Sequence, residues 1–260
     1  MLLREDGDAV ITIGQPSHAW LSGQLARAWG NEQFGPVEPR EEVCLGAEQH
    51  DIGMAAWDLT PTRNPDTGLP RSFMEMPLGV HLELWSAGPR HLVRQSRYAA
   101  LLAAMHGRRL YELRDLTRLP SGEAQAIREF IEGQRRFEEE LLASLRADPA
   151  SAPWATDPVV ARNSQLVWTW DFVSLALCLD WAPTAAHEVP TANGSAELTL
   201  APGDGRGKLR FDPWPFSSER VELRCEGQRL AGRFDTDDEL HDALARAPWV
   251  TVEFELARGR

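Results

Sequence analysis

Metal-binding side chains fall on the apolar faces of separate helical stretches in this chain, and burying them constrains any fold it can adopt. His18 is in step with Leu21, Leu25 and Trp29, and His50 with Val43, Ala47 and Met54. His81 aligns with Leu84 and Trp85, His106 with Ala99 and Leu102, and Asp171 with Val167, Leu175 and Cys178. Steps of three and four residues put each set on one helical face. One histidine in such a place is commonly a hydrogen-bonded core residue, but a carboxylate there is costly unless paired or metal-bound. Several inward imidazoles and carboxylates, joined by the adjacent pair His50-Asp51, are hard to satisfy together without a cation. Imidazole plus carboxylate suits Fe, Mn, Zn or Ni, so one or two divalent ions of unspecified identity are expected.

The same periodicity predicts the helices that carry these groups. One starts after Gly14-Gln15-Pro16-Ser17, a second runs over about 40–57, and a third over 72–87 up to the break at Gly88-Pro89. A fourth covers 90–106 and stops at Gly107, a long amphipathic one spans 121–146, and the last covers 158–179. Residues 60–71, with three prolines and Gly68, form a long loop directly after the His-Asp pair and are a candidate rim for a site. Ala9–Ile13 reads as a short strand. After Pro183 alternation takes over, with strands at 196–200, 207–211, 220–225, 229–234 and 250–256 and a helix near 237–246. The expected architecture is therefore mainly α, a helical metal-binding domain over residues 1–186 with a small C-terminal α+β appendage over 187–260.

A net charge of −12 argues against nucleic acid as the main partner, since a phosphate backbone needs a basic face. Lys208 is the one lysine, so nearly every positive charge is a guanidinium. Cys44, Cys178 and Cys225 are odd in number and widely spaced, with no C-x-x-C pair. They read as buried thiols of a reducing compartment. No apolar run approaches membrane-spanning length. A cytoplasmic protein without a membrane partner is expected, with homo-oligomerisation left open.

The order His18, then His50-Asp51, then Asp171 resembles the HD-domain superfamily of metal-dependent phosphohydrolases over roughly residues 15–180, and His50-Asp51-Ile52-Gly53 matches the commonest form of its motif. His81 and His106 look like the extra histidines of the two-metal branch, which includes cyclic-dinucleotide phosphodiesterases and diiron oxygenases. The whole chain is also similar to a family of uncharacterised bacterial proteins, through Gln15-Pro16-Ser17-His18, Asn64-Pro65, Arg71-Ser72-Phe73 and Asp212-Pro213-Trp214-Pro215-Phe216.

The HD resemblance implies an HD-like helical bundle in which His18, His50, Asp51 and Asp171 hold one metal. Asp51 would bridge to a second metal held by His81 and His106, with Asp51 and His50 central to catalysis. It implies hydrolysis of a phosphate ester or related small anion by a metal-activated water. A diiron oxygenase on the same ligands, or a binder without turnover, is the alternative. Two departures stand out. Met54 occupies the place where many relatives carry a phosphate-binding lysine. The Gly-Tyr-Pro segment of the cyclic-dinucleotide enzymes is absent after His106, which speaks against that substrate. Arg71 on the rim loop, and Arg94 and Arg97 before His106, are the candidate anion-binding side chains.

Overall fold

The chain begins with a hairpin, which the sequence reading anticipated only by half. In a computed structural model describing residues 1–259, β1 (Leu2–Asp6) and β2 (Ala9–Ile13) pair antiparallel across a turn with Gly7 at φ 67°. Seven helices follow: α1 (Gln15–Ala28), α2 (Arg40–Gln49), α3 (Ala55–Leu59), α4 (Leu78–Leu92), α5 (Arg97–Glu112), α6 (Ser121–Arg146) and α7 (Asp157–Cys178). The chain then returns to strands with β3 (Thr184–Thr191), β4 (Gly194–Pro202), β5 (Lys208–Asp212), β6 (Arg220–Ala231) and β7 (Trp249–Arg258), with α8 (Asp237–Arg246) before the last. The strands form one sheet in the order β1-β2-β6-β7-β5-β4-β3, antiparallel except where β5 meets β7.

This corrects the expected fold class. The protein is α+β, about half helical with a curled seven-stranded mixed sheet, and not a mainly-α HD bundle with a small appendage. The reason lies in the N-terminus. β2 pairs with β6 over Ala9–Ala231 to Ile13–Gly227, so the first strands complete the sheet that the last strands begin. β1 escaped notice because Arg4, Glu5 and Asp6 mask its alternation. Arg4 nevertheless points inward, 2% exposed, and its guanidinium donates to the carbonyls of Leu177 and Cys178 and to Asp180. A buried arginine thus satisfies the end of α7, where free carbonyls concentrate negative charge.

Sheet and helices share one apolar core. Leu2, Ile13, Leu198, Phe211 and Leu256 pack in the same cluster as Leu21, Leu101, Leu166 and Trp170. A second cluster, including Met54, Trp85, Tyr111 and Phe130, fills the space among α4, α5 and α6. The three cysteines are buried and free. Among the described residues no helix is long and apolar enough to cross a membrane.

The open edge of β6 is covered in an unusual way. β2 reaches only from residue 227 onward, leaving the backbone of Arg224 and Glu226 without a strand partner on that side. Two side chains of α1 take its place. Ser17 Oγ donates to the Glu226 carbonyl and accepts from its N–H, and Gln24 does the same at Arg224 through Nε2 and Oε1. Edge groups that would recruit another strand are satisfied by a helix.

Several expected helix boundaries shift: the third helix starts at Leu78 and not at 72, the fourth at Arg97 and not at 90, and three further ends move as follows. The helix expected over 40–57 ends at Gln49, and the chain turns through Asp51 (φ −101°, ψ 14°) into a 3₁₀ turn at Ile52–Met54. α4 runs through Gly88-Pro89, because Gly88 is where the backbone of Gly53 comes to rest: a Cβ at 88 would lie 2.9 Å from the Gly53 backbone. α5 runs through Gly107, which lies under the Trp85 ring and leaves no room for a Cβ. The strands expected separately at 220–225 and 229–234 are one strand, β6, through Gly227, where a Cβ would meet Ile11 at 2.7 Å.

A Cβ on Gly53 would collide with the Leu84 carbonyl, whereas one on Gly133, inside α6, meets nothing within 4 Å. Gly53→Ala should therefore cost about 1–3 kcal/mol through overpacking. Gly133→Ala should stabilise by about 0.5–1 kcal/mol through helix propensity. Urea denaturation of both variants checks the pair, and equal effects would contradict the close approach of α4 to the His-Asp turn.

Candidate metal centre

Four elements converge on one buried spot. α1 contributes His18, the turn after α2 contributes His50 and Asp51, α5 contributes His106, and α7 contributes Asp171. The helix break at residue 50 is what makes the pair useful. Adjacent residues of a continuous helix point about 100° apart. Ending α2 at Gln49 lets both side chains reach the same place. The ligand atoms form two overlapping groups, His18–His50–Asp51 and His50–His106–Asp171, each within 4.8 Å, and all five residues are buried.

The separations fit a cation. His50 Nε2 is 3.2 Å from Asp171 Oδ1 and 3.6 Å from Asp51 Oδ2. His106 Nε2 is 3.6 Å from Asp171 Oδ2, and His18 Nε2 is 3.9 Å from Asp171 Oδ1. Ligands about 2.1 Å from one ion stand about 3–3.5 Å apart at tetrahedral or octahedral angles. Only His18 Nε2 to Asp51 Oδ2, at 2.6 Å, is closer, at hydrogen-bond distance.

The surrounding hydrogen bonds set the imidazoles in ligand orientation. His50 Nδ1–H donates to the Ala47 carbonyl at 2.8 Å, which leaves Nε2 buried with no hydrogen-bond partner and facing the two carboxylates. Ser174 Oγ donates to the Asp171 carbonyl and accepts from Ser22, so His18 Nδ1 donates to it at 2.9 Å and Nε2 is left for the cluster. Metal-bound histidines are usually fixed in this way through the other ring nitrogen. His106 differs: its Nδ1 is buried without a partner, and its ring packs on Trp85 and Trp168. These buried His and Asp groups could hold a metal ion.

Electrostatics show what the cluster does without one. Burial pushes His50 down, but Asp51 and Asp171 overcome it and raise it to about 9. Burial would raise Asp51, yet His50 and His18 hold it well below the usual carboxylate range, and Asp171 is lowered by His50 and His106. His106 falls to about 4 through burial, with the neighbouring His50 adding to the effect. A proton on His50 therefore stands in for a metal cation.

The cluster forms the floor of a cavity of about 280 Å³, walled by Phe73, Met74, Met76, Leu78, Leu110 and Leu175 and reached past Arg114. The rim comes from the residues just after the predicted loop. His81 lines this cavity but belongs to neither ligand group. Trp85 Nε1–H donates to its Nε2 at 2.9 Å and Tyr111 Oη pairs with its Nδ1, so both nitrogens are engaged, and burial lowers its pKa to about 4. The second-metal set His81 plus His106 is thus not assembled; His106 sits with the first.

None of the candidate arginines lines the cavity. Arg97 is held by Asp148 at 2.5 Å and by Ser144. His106 lies about 13 Å further along the same helix at 1.5 Å per residue. Arg94 faces another groove, with Glu41 and Glu42, and Arg71 remains on its loop. Arg114, Tyr111 and Gln15 are the polar lining residues that sequence reasoning missed, and Ser22 and Ser174, behind His18, are supports that it also missed. Ser174 was within reach of it, one helical step from Asp171.

One family profile matches, described as "Protein of unknown function (DUF3891)", over residues 1–232. The chain belongs to that family. The DUF3891 match takes in all five cluster residues and the whole cavity lining, and ends after β6. No curated protein and no solved structure matches the chain.

The raised pKa of His50 has a signed consequence. Its contribution to the metal-free protein is complete below the ordinary value of 6.5, shrinks as pH rises and is lost through about 9. A bound cation replaces that proton and removes the loss. The melting-temperature gap between metal-loaded and chelated protein should widen from pH 6.5 to 8.5. Calorimetry showing a constant or narrowing gap would contradict this.

Proposed function

We propose that the protein is a metal-dependent hydrolase of HD type that acts on a phosphate ester or related small anion. The observation that carries the reading is the unpartnered His50 Nε2, buried and aimed at two carboxylates that His18 and His106 also face. The chain order of these ligands, His18, His50-Asp51, Asp171, supports the HD-type assignment.

His18, His50, Asp51 and Asp171 would hold the ion, with His106 close enough to join them. A divalent cation bound there supplies Lewis acidity and a water that ionises near neutral pH. The protein's own contributions are separate. Ser174 and the Ala47 carbonyl fix the histidine tautomers, the apolar wall excludes bulk water, and Asp51, anionic at neutral pH, offers the ion a charged oxygen. Exclusion of water strengthens each of these interactions.

Protein purified without added metal should contain Fe, Mn, Zn or Ni by elemental analysis. It should hydrolyse 4-nitrophenyl phosphate or its diester once loaded, while Asp51→Ala should retain neither metal nor turnover. Ser174→Ala should weaken metal affinity by about 10–100-fold without unfolding the protein. Undiminished turnover in Asp51→Ala would sink the hydrolase reading. Oxygen consumption without hydrolysis would replace it with an oxygenase.

A further inference from the structure

Beside the His/Asp cluster, the cavity lining holds a polar chain whose proton direction can be worked out from donors alone. Trp85 Nε1 is a donor and never an acceptor. It donates to His81 Nε2 at 2.9 Å, so that nitrogen carries a lone pair and the ring proton sits on Nδ1. His81 Nδ1–H in turn donates to Tyr111 Oη. The hydroxyl hydrogen of Tyr111 is thereby left free to donate elsewhere, and the residue lines the cavity. Burial raises the phenol to about 12, which keeps that hydrogen in place at neutral pH.

Arg114 lies beside it, with its guanidinium 4.5 Å from the centroid of the Tyr111 ring. It is exposed at the mouth, makes no salt bridge among the described residues, and is the only arginine or lysine among the described residues lining the cavity. Gln15 adds a third polar group: it is 3% exposed and its Oε1 is buried without a partner at the same cavity. The rest of the wall is methionine, leucine and phenylalanine. At about 280 Å³ the space is just below the roughly 300–1,000 Å³ of common small-molecule sites. That size and a single cationic side chain fit neither a polyphosphate nor a dinucleotide.

Resting on the metal-hydrolase reading, we propose that Tyr111 Oη–H and the Arg114 guanidinium form the anion-binding end of the pocket. Its substrate class is then a small phosphomonoester with an alkyl or aryl body. The anionic oxygens lie between Tyr111, Arg114 and the ligand cluster, and the apolar body packs on Phe73, Met76 and Leu110. His81 is a positioning residue: it sets the direction of the Tyr111 proton.

Calorimetric titration of metal-loaded protein with phenylphosphonate, which cannot be hydrolysed, tests the assignment, with inorganic phosphate as the comparison lacking an apolar body. Wild type should bind phenylphosphonate at least about tenfold tighter than phosphate, and Tyr111→Phe and Arg114→Gln should each weaken phenylphosphonate about tenfold. Metal content, measured in parallel, should be unchanged in both. If metal is held but neither variant alters phenylphosphonate binding, or wild type does not bind it, the anion-binding assignment is overturned while the metal reading stands. If wild type holds no metal, the metal reading fails and takes this one with it. Should Tyr111→Phe fail to fold, Arg114→Gln, at an exposed position, decides the matter alone.

Discussion

Two carboxylates, Asp51 and Asp171, held in the interior against three imidazoles, are the constraint around which this molecule is arranged. Removing a carboxylate from water costs several kcal/mol, and the cost is recovered only when opposite charge and hydrogen bonds meet it in good geometry. Here no arginine or lysine does so. Arg4, the buried guanidinium, is spent on the end of α7, and Arg114 lies at the mouth of the cavity. The compensation has to come from protons on imidazole or from a cation among the ligands. His50, with one nitrogen committed to a backbone carbonyl and the other left free, is built to accept either.

Holding five buried His and Asp side chains from four elements together needs supports outside the cluster itself. Glycine provides one set: Gly53 and Gly88 let the His-Asp turn rest directly on the α4 backbone, and Gly107 lets Trp85 lie beside His106. Serine provides another. Ser22 and Ser174 bond to each other across α1 and α7, so the helices bearing His18 and Asp171 are tied by a polar contact at the level of the ligands. Each support is small, and each fails in a different way when changed: a glycine by collision, a serine by loss of a tautomer.

The sequence was informative where the period was undisturbed. α6 was legible because a long apolar stripe opposite a charged face leaves little choice, and α7, apolar on most sides, was legible to within a residue at each end through its length and its opening Pro158. The inward placement of His18, His50, His106 and Asp171 was legible for the same reason. His81 shared the pattern but not the outcome. Trp85, four residues on, and Tyr111, from the next helix, claim both of its nitrogens, and periodicity says which way a side chain faces but not what it will meet there. The sheet was harder to see. β1 hides behind three charged residues, which conceals a local hairpin, and the pairing of β2 with β6 joins segments more than two hundred residues apart, which no local pattern carries.

The sheet also bears on the site without entering it. Every residue lining the cavity lies between Gln15 and Leu175, so no strand contributes a wall. Its influence runs through α1. Ser17 and Gln24 complete the open edge of β6, and Ser17 is the immediate neighbour of His18. Arg4 of β1 grips the end of α7, within two turns of Asp171. The two helices that carry His18 and Asp171 are therefore both anchored to strands of one sheet, α1 to β6 and α7 to β1, and their separation at the cluster is tied to strands they do not resemble in sequence. A bundle of helices alone would have to fix that distance through helix packing, which tolerates sliding of an ångström or more. With side chains hydrogen-bonded to strand backbone, sliding of α1 breaks four bonds at once, and this is a physical reason for a buried His/Asp cluster on helices to be accompanied by a sheet that lines none of its cavity.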